Sequence, residues 1–344
     1  MTDISKQAPH TDGAGKWASK DGQFRRQTST FRDAISSDPG SSFPPEVGRY
    51  HLIVALACPW AHRALIVRAL KGIDQVKDLL PVHTVDSFLG PEGWTFEPYG
   101  DDVTGGVKTA KGTGNRIPGH ESKKRIRDFY KAADPEYAAR CTVPVIWDNK
   151  KGTIVNNESS EVIRFLNHAF DQFLPEDKKT LDFYPEKLRS EIDSLNEWVY
   201  DTVNNGVYKS GFATTQQAYE SNVVPLFKSL DRLEKHLQEV HNSGAQFLIG
   251  SQLTEADIRL FTTIVRFDPV YVQHFKCNLG TIRADYPNLH KWLRNLYWKV
   301  DSKAFKDTTD FESIKKHYTQ SHANINPTRI VPLGPVPDIK PLDA

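Results

Sequence analysis

Three short stretches of the chain carry residues whose types and spacing could do chemistry. The first is "HLIVALACPWAHRALIVRAL", His51 to Leu70. An apolar run of strand length, with β-branched Ile53 and Val54, ends at Cys58, and beyond it Leu65, Ile66, Ala69 and Leu70 recur at helical spacing. Pro59 suits a first helical position, because it has no N–H to leave unpaired and its φ is preset. A helix N-terminus offers unpaired N–H groups and the positive end of the macrodipole, so Cys58 there is expected to have a stabilised thiolate and a depressed pKa. His62 and Arg63, one turn on, would add positive potential. A free cysteine is commonly just a small buried apolar residue, yet a strand–Cys–Pro–helix setting points to a reactive thiol.

The second stretch is "TVPVIWD". It reads as a strand from Thr142 to Trp147 with Pro144 inside it, and a proline is tolerated only at edges or bends. A cis Val143–Pro144 bond would turn the Val143 backbone outward to pair with an extended peptide, although base rates favour trans. The third is "NNESSEV", where Glu158 and Ser159 sit at an expected helix start, a place suited to a carboxylate ligand and equally to an ordinary cap. Ala61 limits the first site. A dithiol mechanism needs a second cysteine at that position, so a disulfide formed by Cys58 must be resolved by an external thiol, of which glutathione is the abundant one.

The rest of the chain bounds what surrounds these residues. Its 344 residues imply two domains. Balanced charge, 44 basic against 43 acidic residues, argues against nucleic acid or an anionic membrane surface as partner. No apolar run approaches the ~18–20 residues that span a bilayer, and the polar first thirty residues resemble neither a signal nor a transit peptide. Three scattered cysteines fit a reducing, cytoplasmic setting. His317 and His322, five apart and without Cys or carboxylate support, do not read as metal ligands, and no metal is expected.

Positioning elements follow from periodicity. Residues 1–45 read as an extended arm, and residues 46–175 as an α/β domain with a mixed sheet, in the order strand, helix, strand, loop, strand, strand, helix. The second strand is expected over Val76–Thr84 and the fourth over Thr153–Val155. The glycine-rich loop of residues 86–125 has no apolar period, and a loop that long is usually functional or disordered. Residues 185–320 read as all-helical. Leu188, Ile192, Leu195 and Val199 form one buried stripe, and Val223, Leu226, Leu230, Leu233, Leu237 and Val240 a second. Thr254 and Asp257 form a near-variant of a capping box. Tyr208 follows "NNGV", a helix-stop signal, and is expected on an irregular segment facing a cleft. Residues 321–344 are proline-rich and extended.

The motifs "ACPWAHR", "RCTVPVIWD", "NNESSEVIRFLN", "NNGVYKSGFA", "RFDPVYVQHFKCN" and "IKKHYTQSH", in this order, resemble the glutathionyl-hydroquinone reductases, or Xi-class glutathione transferases, from about Phe31 to Pro335. The resemblance implies a thioredoxin-like N-terminal domain, an all-helical C-terminal domain, a homodimer, and glutathione as co-substrate. It implies removal of glutathione from glutathionyl-hydroquinones through a Cys58 mixed disulfide. By the same resemblance Cys58 is the nucleophile and Tyr208 the proton donor, while Tyr271 and Tyr318 lower the nucleophile's pKa. Trp94, Arg140, Cys141, Thr142, Val143, Glu158 and Ser159 contact glutathione. Thr319 departs from the second tyrosine that many relatives carry there. Two alternatives stand beside this reading: an omega-like thioltransferase or dehydroascorbate reductase, and a non-catalytic binding protein on a transferase fold.

Overall fold

The computed structural model describes residues 17–19 and 21–343. The first sixteen residues of the expected arm therefore lie outside the described residues. Four strands, β1 (Tyr50–Val54), β2 (Val82–Thr84), β3 (Val145–Asp148) and β4 (Thr153–Asn156), make one sheet in the order β2-β1-β3-β4. β1 and β2 run parallel, and the other pairs are antiparallel. This is the mixed sheet of a thioredoxin-like unit, and β1 is buried along its whole length.

Two strands are shorter than their sequence suggests, for local reasons. Pro144 has no N–H for a ladder, so β3 begins only at Val145. Before β2 the chain turns through Asp78, which holds a left-handed φ of 58°, and the ladder with β1 starts at Val82.

Among the described residues fourteen α-helices accompany the sheet. On the N-terminal side are α1 (Pro59–Leu70), the one-turn α2 (Asp101–Thr104), α3 (Ile126–Ala133), α4 (Ser159–Leu166) and α5 (Glu176–Lys179). The helical half comprises α6 (Arg189–Val199), α7 (Gly206–Gly211), α8 (Gln216–Asn242), α9 (Glu255–Ile264), α10 (Val272–His274), α11 (Ile282–Asp285), α12 (Pro287–Asn295), α13 (Ser302–Phe305) and α14 (Phe311–Ser321). α8 continues through Pro225, and its buried face includes Val223, Leu226, Leu230, Leu233 and Leu237. The capping box of α9 is formed, with Asp257 Oδ2 accepting from Thr254 N at 3.1 Å. Among the described residues beyond Ser321 the proline-rich tail carries no helix or strand but is tied down: Trp298 Nε1 donates to the Lys340 carbonyl at 2.9 Å, and Arg283 donates to the Asp338 carbonyl at 2.8 Å. Among the described residues no helix is long and apolar enough to cross a membrane.

The expected irregular segment around Tyr208 is instead helical. "NNG" does not stop the helix. Residues Tyr200–Asn204 widen into a π segment, with Asn205 N bonded to Tyr200 O, and α7 resumes at Gly206. The cause is tertiary: Asn204 Nδ2 donates to Thr263 Oγ1 at 2.8 Å, and Asn204 Oδ1 accepts from Arg63 at 3.0 Å. A second π segment, Phe267–Tyr271, ends on another of the singled-out tyrosines. Such insertions often re-aim side chains at functional sites.

Gly211, at the end of α7, is where the helix meets the aromatic core most closely. A Cβ there would lie 2.1 Å from the Phe275 ring, and that ring stacks on Tyr271 at 5.5 Å with planes 2° apart. Gly211→Ala must therefore displace Phe275. Forced overpacking costs about 1–3 kcal/mol, so the urea midpoint should fall with an unchanged slope; an unaltered midpoint would show that Phe275 has room to move.

Candidate active site

The Cys58 backbone is extended (φ −75°, ψ 120°) and caps α1, with Pro59 in the first helical position. Its thiol lies against the Val143 carbonyl, Sγ to O 3.6 Å. The Val143–Pro144 peptide bond is cis, contrary to the base-rate expectation. Behind the cysteine stands Arg266 from the helical half, which is fully buried. Its guanidinium donates to the Ala57 carbonyl at 3.0 Å, the Leu56 carbonyl at 3.2 Å, the Thr262 carbonyl at 2.7 Å and His62 Nδ1 at 3.0 Å. Arginine remains protonated, so His62 Nδ1 must be the acceptor, leaving Nε2 to donate to Thr308 Oγ1 at 2.9 Å. Burial holds His62 well below the usual imidazole range. It is neutral and supplies no positive potential, contrary to the sequence expectation.

The thiol itself corrects a second expectation. Burial pushes the Cys58 pKa up, against the pull of the Ala61 N–H, the Arg26 charge, the Trp60 N–H and the Arg266 charge. The helix terminus acts in the expected direction, but desolvation outweighs it. Tyr271 and Tyr318 pack around Tyr208, their ring centroids 6.1 Å and 6.4 Å from its own. They bond along a chain of hydroxyls, Tyr208 to Tyr318 at 2.5 Å and Tyr318 to Tyr271 at 3.1 Å. Burial drives Tyr208 and Tyr318 well above the usual phenol value and raises Tyr271, so all three are protonated donors at neutral pH. Tyr208 and Tyr318 line the cleft that Cys58 opens onto, and Tyr271 stands behind them, wholly buried.

That cleft has about 1080 Å³ of atom-free space, open solvent at its mouth included. Every other residue proposed from the sequence lines it as well. Trp94 comes from the long loop; Arg140, Cys141, Thr142 and Val143 precede β3; Glu158 and Ser159 open α4. Burial works against ionisation of Glu158, but bonds from Ser160 N (3.2 Å), Ser160 Oγ (3.0 Å) and Ser29 Oγ (3.0 Å), together with the Arg26 charge, keep it below the usual carboxylate value. Ser159 Oγ accepts from Arg63 at 3.5 Å. Tyr130 donates to the Thr142 carbonyl at 2.8 Å, fixing that strand edge.

Sequence reasoning missed one whole wall. Trp17, Phe24, Arg26, Gln27, Thr28 and Ser29 of the arm line the cleft. Arg26 lies 3.9 Å over the Trp60 ring and Arg140 lies 4.6 Å over Trp17. Gln27 Oε1 accepts from Arg140 N at 2.9 Å. The clue available was the run of aromatic and cationic residues within an otherwise polar arm. His317 and His322 were also passed over, and both border the cleft. Among the described residues no group of His, Cys, Asp and Glu could hold a metal.

The chain matches the glutathione S-transferase N-terminal domain over residues 57–169 and the C-terminal domain over residues 216–295. A crystal structure of the glutathione-S-transferase Xi from Phanerochaete chrysosporium is 56% identical, with TM-score 0.84 over 95% of this chain and 97% of that one. The chain belongs to the Xi-class glutathione transferases. It is 54% identical to glutathione S-transferase omega-like 2 of Schizosaccharomyces pombe, over 94% of this chain and 97% of the relative. It is 47% identical to glutathionyl-hydroquinone reductase YqjG of Escherichia coli, over 92% and 90%. The Xi transferase ECM4 of Saccharomyces cerevisiae, solved in complex with glutathione, is 49% identical with TM-score 0.84, over 92% of this chain and all of that one.

The thiol's balance of forces can be measured. A raised pKa moves the rise of iodoacetamide alkylation to higher pH, because only the thiolate reacts; the inflection is expected at or above the free-thiol value of ~8.5. Arg26→Gln removes a cation that lowers it, so the inflection should move further up. An inflection well below ~8.5 in the parent would restore the depressed thiol expected from the helix terminus alone.

Proposed function

We propose that this transferase removes glutathione from glutathionyl-hydroquinones. The observation that carries the reading is that Cys58 and Tyr208 open onto one cleft, with Tyr208 at the end of a chain of three protonated tyrosines. Displacing sulfur from an aromatic ring leaves a carbon, a very poor leaving group unless a proton is delivered to it. A protonated tyrosine beside the thiol meets that need by general-acid catalysis. The name of the Escherichia coli relative and the glutathione complex of the yeast one support the same substrate and co-substrate.

Glutathione lies along the β3 edge with its cysteinyl part pairing to the Val143 backbone. Glu158 and Ser159 receive the γ-glutamyl end, Arg140, Cys141 and Thr142 flank it, and Trp94 covers it. Cys58 attacks the conjugate's glutathione sulfur, the C–S bond breaks, and the ring carbon takes a proton from Tyr208. Free hydroquinone departs. A second glutathione then attacks the Cys58 mixed disulfide, giving oxidised glutathione and the free thiol; Ala61 offers no internal route. Burial and Tyr271 hold Tyr208 protonated, and the Tyr318 hydroxyl orients it. The reaction belongs in a reducing, cytoplasmic compartment, and the homodimer of the resemblance is part of the same reading.

The nearer rival is an omega-like thioltransferase, a reading favoured by the name of the fission-yeast relative. It uses the same cysteine and needs no acid at carbon. Tyr208→Phe separates the two. Its rate on a glutathionyl-hydroquinone should fall ~10²–10⁴-fold, while its rate on a glutathione mixed disulfide, whose leaving group is a stable thiolate, should change little. Equal losses on both would make Tyr208 a support for the thiol or the fold; no loss on either would overturn the assignment. Intact-mass analysis of the parent with the conjugate should give a glutathione adduct on Cys58 and free quinol in solution.

Glu158→Gln tests the glutathione end. A charge-assisted hydrogen bond contributes about 1.5–3 kcal/mol, so glutathione affinity should fall roughly ten- to hundredfold. An unchanged affinity, measured by calorimetry, would leave Glu158 only its role as the cap of α4.

A further inference from the structure

His317 lies on α14, where Trp94 faces its ring at 4.9 Å and Tyr318 follows it in sequence. Its Nδ1 is 3.0 Å from the carbonyl oxygen of Ser87 in the long loop. A carbonyl only accepts, so Nδ1 must carry the proton; an unprotonated nitrogen there would set two lone pairs against each other. Ser321 Oγ, 3.3 Å from the same nitrogen and bonded by Leu89 N at 2.9 Å, completes the collar. The tautomer is thereby assigned: Nε2 carries a lone pair and no proton. Burial and the Arg266 charge hold the ring at a pKa of about 4, so it is neutral in the working range. Nε2 has no protein partner among the described residues, yet it is not one of the buried polar atoms left unpaired. It therefore reaches open space, and the open space His317 borders is the cleft.

The cleft is thus lined by two neutral proton donors, Tyr208 and Tyr318, backed by Tyr271, and beside Tyr318 by a neutral acceptor open to it. We propose that His317 is a further catalytic residue, whose Nε2 accepts the proton of the substrate hydroxyl adjacent to the carbon–sulfur bond. The inference rests on the reductase reading above and supplies the step it lacks. A proton can be added to the ring carbon only as the neighbouring hydroxyl becomes a carbonyl.

The hydroxyl proton passes to Nε2, the C–O bond becomes C=O, and the ring carbon bearing sulfur takes the Tyr208 proton. Cys58 sulfur then bonds to the glutathione sulfur. The C–S electron pair returns to the ring as an enolate, which recovers its proton from Nε2. The thiol's own proton replaces the one Tyr208 gave. Two sulfurs are oxidised to a disulfide and the ring carbon is reduced by the same two electrons, so no further reactant is needed.

The test compares a glutathionyl-hydroquinone with S-phenacyl-glutathione, a conjugate that is already a ketone and bypasses the hydroxyl step. In His317→Asn the amide nitrogen stands where Nδ1 stood and keeps the Ser87 bond, but nothing reaches the position of Nε2. The ratio of the quinol rate to the ketone rate should fall ~10²–10⁴-fold relative to the parent. His317→Gln, which returns an acceptor near the Nε2 position, should recover part of that ratio. An unchanged ratio in His317→Asn overturns the proposal, whether both rates hold or both fall together through a packing defect. A parent that handles the ketone and the mixed disulfide but never the quinol conjugate would instead sink the reductase reading itself.

Discussion

The Arg266 guanidinium is the interaction on which the rest of the site depends. It reaches out of the helical half and binds the carbonyls of Leu56 and Ala57, the two residues that lead into Cys58. A fully buried cation is costly unless its donors are satisfied. Here three carbonyls and one imidazole nitrogen accept from it. The same group fixes the turn that aims Cys58, locks the tautomer of His62, and supplies charge that draws the thiol toward ionisation. Arg63 makes the reciprocal crossing, from α1 to Asn204 at the π segment and to the Arg259 carbonyl. The two halves of the molecule are thus joined by buried guanidinium groups at the place where the thiol and the tyrosines meet.

Desolvation sets the chemical character of the cleft. It raises the Cys58 thiol and the Tyr208 and Tyr318 phenols and lowers the His317 and His322 imidazoles, so these five groups are neutral near pH 7. Such a site moves protons rather than holding charges. That suits a reaction whose reactants and products are uncharged at the reacting centre, and in which each proton given by one group must be replaced by another.

Much of this was legible in the sequence, because much of it is local. The strand–Cys–Pro–helix turn, the cap at Glu158 and the box between Thr254 and Asp257 depend on residues within a few positions of one another. The fold class followed from their order. Other features depend on distant partners and were not legible. The run at Asn204–Gly206 reads as a stop until Thr263 and Arg63 bond to Asn204. The thiol's position was evident, but the burial that reverses its pKa was not. His317 shows no role until Ser87, 230 residues away in sequence, settles which nitrogen is free.

The arm wall has a consequence for the shape of the cleft. Among the described residues from Trp17 to Pro45 the chain forms no helix or multi-residue strand, only isolated bridges such as Ala18 with Phe24 and Arg32 with Asn156. It is nevertheless anchored on either side of the stretch that borders the cleft: Asp33 N donates to the Val155 carbonyl, Asn157 N donates to the Phe31 carbonyl, and Phe24, Ile35 and Phe43 join the shared core. Between these anchors Gln27 and Ser29 reach Arg140 and Glu158 through their side chains. One wall of the cleft is therefore built from a segment without regular structure of its own, and its shape depends on the same core that stabilises the protein.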